Sequence, residues 1–78
     1  MREKKAYQVF TFHTTDAAME MEAFCKQNGI AGRLVPVPRR LSAGCGISWR
    51  IEAAVFAQHR ERIEHSGIEI EQSVELVP

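Results

Sequence analysis

Two helical stretches of this chain each end on a glycine and each lie between extended segments, and that repetition limits the folds open to it. Ala17 to Asn28 holds good helix formers, with Ala18, Met21, Phe24 and Cys25 recurring at helical spacing. Asn28-Gly29 stops this helix, because both residues tolerate left-handed backbone. Glu52 to Ser66 predicts a second helix with Val55, Phe56, His59 and Ile63 on its inner face, and Gly67 stops it. Ahead of the first helix, Tyr7 to Phe12 is rich in β-branched and aromatic residues and reads as a strand. Both of its alternating faces carry bulk, as in a central strand covered on both sides. Thr14, Thr15 and Asp16 then offer N-cap oxygens.

Arg33 to Val37 is a short extended segment. Pro36 and Pro38 lack backbone donors, which assigns it to a sheet edge. Pro38 to Gly46 is a loop, and Gly46 to Ile51 alternates with Ile47, Trp49 and Ile51 on one side. Ile68 to Glu71 alternates again, and Val74 to Val77 continues that strand after a break at Gln72-Ser73. The order β-α-β-β-α-β predicts an α+β, ferredoxin-like two-layer sandwich, with an antiparallel sheet and both helices on one face.

The chain has 78 residues, enough to bury about 60–65% of its unfolded surface. That fits one domain over 1–78, with a core at about 7–77 and a flexible start at 1–5. It leaves no room for a separate substrate domain. The 45% apolar and 26% charged fractions are those of a globular protein. The apolar runs are too short to span a membrane. Met1 to Lys5 is basic without the apolar stretch of a secretory signal, so a cytoplasmic location and no membrane partner are expected.

Ten basic and ten acidic side chains cancel in total but not along the chain. Residues 29–51 carry Arg33, Arg39, Arg40 and Arg50 and no acid, whereas residues 52–78 carry six glutamates against Arg60 and Arg62. A neutral sum therefore hides a basic middle and an acidic tail. Guanidinium groups present a planar fork of donors to oxyanions; the plainer reading is a solvated loop offset by neighbouring glutamates.

The two cysteines sit in different company. Cys25 lies on the apolar stripe of the first helix, where a thiol behaves as a small hydrophobe. Cys45 stands between Gly44 and Gly46 in a polar loop. Flanking glycines let amides converge on a sulfur, and Arg39, Arg40 or Arg50 would favour its thiolate, the nucleophilic form. The spacing of the cysteines and of His13, His59 and His65 matches no metal-ligand pattern, so no metal and no cofactor are expected. His59 reads as a packed core histidine, and His65 as a cation at a helix C-terminus. His13 ends the first strand and is a candidate general base for Cys45. Tyr7, Phe10, Phe12 and Trp49 could stack bases, but the basic-aromatic signature of an RNA-recognition strand is absent, so no nucleic acid is expected.

The run Asn28-Gly29-Ile30-Ala31-Gly32-Arg33-Leu34, followed by Val35-Pro36-Val37-Pro38-Arg39-Arg40-Leu41-Ser42-Ala43-Gly44-Cys45-Gly46, resembles the hallmark of a small bacterial family. That family is called "putative selenium/sulfur carrier protein-like". The resemblance extends from Tyr7 to about Glu71 and rests on a P-V-P-R-x-hydrophobic-S-x-x-C-G loop. It implies a carrier that holds a terminal chalcogen on Cys45 as a persulfide or selenosulfide. A cysteine desulfurase-type donor would load it, and an acceptor protein would discharge it. Arg39, Arg40, Ser42, Gly44, Gly46 and Arg50 would steady the anion through hydrogen bonds. A domain without a cavity suits a carrier or accessory protein better than an autonomous enzyme. Two other classes stay open: a non-catalytic binding or regulatory module using the arginine-rich loop for an anionic ligand or protein partner, and an oligomeric structural subunit.

Overall fold

The computed structural model describes residues 5–41 and 45–77. The elements run β1 (Tyr7–Thr11), α1 (Thr15–Gln27), β2 (Arg33–Pro36), β3 (Ile47–Glu52), α2 (Ala53–Glu64) and β4 (Gln72–Leu76). The four strands form one sheet in the order β2-β3-β1-β4, and every neighbouring pair is antiparallel. The chain is an α+β protein of two helices on a four-stranded sheet. No helix among the described residues is long and apolar enough to cross a membrane.

Local chemistry sets the helix ends. The Thr14 Oγ1 accepts from the Ala17 N–H at 3.2 Å, satisfying an otherwise orphaned donor. At the other end the Ile30 N–H reaches the Cys25 carbonyl at 2.8 Å, and the Gly29 N–H reaches that of Lys26 at 3.4 Å. This paired closure needs a left-handed residue at its corner, and Gly29 supplies it with φ +67°. The Ser66 hydroxyl ends α2, donating to the Ile63 carbonyl at 2.7 Å and accepting from the Ile68 N–H at 3.2 Å.

β1 lies between β3 and β4, and four of its five residues are buried, as its double-sided bulk predicts. Partners across an antiparallel pair share a face. Phe10 pairs with Trp49, which puts Phe10, Trp49 and Ile51 on one side. Both helices contribute to the core on that side: Ala18, Met21 and Cys25 from α1, Phe56 and Ile63 from α2. The Phe56 ring meets Phe10 edge-on, with centroids 5.4 Å apart. Trp49 is only 2% exposed. Phe10, Phe12 and Trp49 are therefore core residues and form no base-stacking platform. Deleting one such ring costs about 3–5 kcal/mol, much of the stability that a domain of this size holds.

β2 sits at the edge, as its prolines require. The last strand differs from the alternation expected at Ile68 to Glu71: β4 begins at Gln72, the residue read as a break. Its pairing explains the difference. β1 offers five partners, which Gln72 to Leu76 use in full, and the Glu71 N–H closes the ladder on the Thr11 carbonyl at 2.8 Å. Ile68 and Ile70 lie beyond the end of β1 and pack on the core as a connector. His59 is half-buried with no hydrogen bond among the described residues, so it sits at the margin of the core rather than inside it.

Candidate functional site

Pro36 leaves β2 and Ile47 begins β3 as paired residues, and between them the chain makes an excursion of ten residues. The excursion is closed at its base, where the Val37 N–H donates to the Gly46 carbonyl at 3.1 Å. Gly46 has φ +75°, a conformation that side chains with a Cβ avoid. It turns the chain from the loop into β3 directly after Cys45.

Cys45 is a free, half-buried thiol whose carbon packs against the edge of the core. The expectation of a purely polar setting is corrected here: apolar neighbours account for part of its placement. Its Sγ donates to the Ile47 carbonyl at 3.1 Å. Only a protonated thiol makes that bond. The half-buried sulfur is free to turn away from that carbonyl toward solvent. Cys25 is the opposite case. It is fully buried, its Sγ lies 3.8 Å from the Met21 Sδ, and burial pushes its pKa from 9.0 to about 11.

The other candidate residues divide into three groups. Ser42 and Gly44 lie outside the described residues. Gly46 adjoins the thiol. Arg39, Arg40 and Arg50 gather at a groove of about 370 Å³ on the sheet face opposite the helices. Its floor is Tyr7, Val9 and Leu76, and Pro38 and Val77 complete the wall. The Arg50 guanidinium lies 4.6 Å from the centre of the Tyr7 ring. Cys45 is not among the described lining residues of this groove. The sequence reading found the arginines but missed the floor. The signal was there in the second face of β1, where Tyr7, Val9 and Thr11 are apolar or uncharged.

Thr11 pairs with Ser48, so the end of β1 and the start of β3 meet at one end of the sheet. His13 and Cys45 both follow from that end. The polar partner of His13 is Glu71, with 3.9 Å between Nδ1 and Oε2.

A family model described as "Putative Se/S carrier protein-like" matches residues 7–75. No curated protein and no solved structure matches the chain.

Proposed function

Since the chain belongs to the putative Se/S carrier protein-like family, we propose that it carries a terminal sulfur or selenium atom on Cys45. The observation that carries this reading is the contrast between its thiols: both are free, Cys25 is sealed in the core, and Cys45 is half-buried at a loop end. In this reading the order β2-β3-β1-β4 with its two β-α-β halves is a ferredoxin-like sandwich. In this reading Cys45, half-buried at the end of the β2–β3 loop, is the thiol that two partner proteins reach in turn.

Each transfer is a thiol exchange that balances without an oxidant. The Cys45 thiol gives its proton to solvent, and its thiolate attacks the outer sulfur of a persulfide on a cysteine desulfurase-type donor. The donor's sulfur–sulfur bond breaks, the donor thiolate leaves, and Cys45 holds the persulfide. An acceptor nucleophile then attacks the outer sulfur and frees the Cys45 thiolate. Gly46 and, in this reading, Ser42, Gly44, Arg39, Arg40 and Arg50 hold the persulfide anion with donors. Exchange of this kind belongs in a reducing compartment, which is the cytoplasm in this reading.

The test is intact mass after incubation with a cysteine desulfurase and cysteine. The expected result is a gain of one sulfur atom that persists in Cys25→Ala and vanishes in Cys45→Ala. The absence of any adduct across several desulfurases overturns the reading.

A further inference from the structure

The basic middle of the sequence folds into a single patch. Arg33 pairs with Arg50 across β2 and β3, so both project from the sheet face opposite the helices. Arg39 and Arg40 arrive at the same face from the loop and line the groove with Arg50. None of these four arginines makes an ion pair among the described residues. The acid on this face of β3, Glu52, is taken by Lys5 at 3.1 Å. Like charges placed opposite each other on a sheet destabilise it, and here no described carboxylate comes within ion-pair distance of either. Three guanidinium groups thus rim an apolar floor, and among the described residues none of them has an ion-pair partner.

We propose that this groove binds a small amphipathic carboxylate: a compact apolar body on Tyr7, Leu76 and Val77, over the buried Val9, with its oxyanion on Arg39, Arg40 and Arg50. Charge complementarity fixes the sign of the ligand, and the floor fixes its apolar part. Size selects a free molecule. The groove's 370 Å³ falls at the lower end of the ~300–1,000 Å³ typical of small-ligand sites. A protein partner would bury about 800 Å² on this chain, far more than the groove offers. Cys45 is outside the described lining, so ligand binding does not require its thiol, although the carrier reading draws on the same arginines.

The test titrates the full chain with 4-phenylbutyrate and follows backbone amide shifts by NMR. The expected result is saturable shifts at Val9, Arg50 and Leu76 with a dissociation constant at or below about 1 mM. 4-Phenylbutan-1-ol, which lacks the charge, and butyrate, which lacks the apolar body, bind at least about tenfold more weakly. Arg50→Gln and the double change Arg39→Gln, Arg40→Gln each weaken 4-phenylbutyrate by a similar factor, while Cys45→Ala binds as the parent does. The two unmodified-protein comparisons hold even if a variant fails to fold. No saturation up to about 10 mM overturns the proposal, as does equal binding of the alcohol or of butyrate. Tight binding of an acidic, apolar peptide without binding of 4-phenylbutyrate also overturns it. A carrier that gains sulfur on Cys45 yet ignores 4-phenylbutyrate would sink this inference alone.

Discussion

Cys25 and Cys45 show how far a single residue's environment decides its chemistry. Burial holds the Cys25 thiol neutral to about 11 instead of 9.0. The folded chain resists its ionisation and the unfolded chain does not, so its contribution to stability is intact below about pH 9. That contribution is lost as pH rises toward 11. Denaturation midpoints of the parent should fall more steeply across that window than those of Cys25→Ala; parallel curves would remove Cys25 as the cause. Gly32 poses a different constraint. A Cβ there would lie 2.6–2.7 Å from three atoms of the Trp49 indole. Because Trp49 is clamped in the core, Gly32→Ala should cost about 1–3 kcal/mol in urea unfolding, and an unchanged midpoint would refute the clamp. At this scale the sequence was partly legible. The stripe that buries Cys25 has a period and can be read. The contacts of Cys45 with Ile47 and the core follow no period, because a loop has none.

Elements were more legible than their ends. Each helix, each turn glycine and the edge position of β2 follow from spacing, caps and proline chemistry. β4 did not follow, because its limits come from the length of β1 rather than from its own alternation. Register also exposes what composition hides. Arg33 and Arg50 stand opposite each other, an arrangement that the linear string gives no means to see. Replacing one of them with an acid turns repulsion into attraction. Arg33→Glu should therefore raise stability by about 0.2–1 kcal/mol, most clearly at low salt. A loss of stability in low-salt urea titrations would show that Arg33 has a partner of its own.

The whole molecule measures 38 × 27 × 16 Å between its Cα extremes, thin enough for one sheet and one helix layer. Its charge is sorted by face: the arginines of the basic segment meet on the side away from the helices, an arrangement that the zero net charge conceals. One closure separates this working surface from the scaffold. The Val37–Gly46 bond brings the ends of the excursion as near as a tight hairpin does, so the strands beneath are already in register before the loop begins. That closure predicts that the loop can be exchanged as a unit. A chain in which Asn-Gly replaces residues 38–45 should keep the circular dichroism and Trp49 emission of the parent, since that dipeptide favours the turn that joins paired strands. Loss of cooperative unfolding in that chain would show the loop to be part of the frame. If it folds, the proposed carrier thiol and two of the groove's arginines can be removed or exchanged with the loop, while Tyr7, Arg50 and Leu76 stay with the domain.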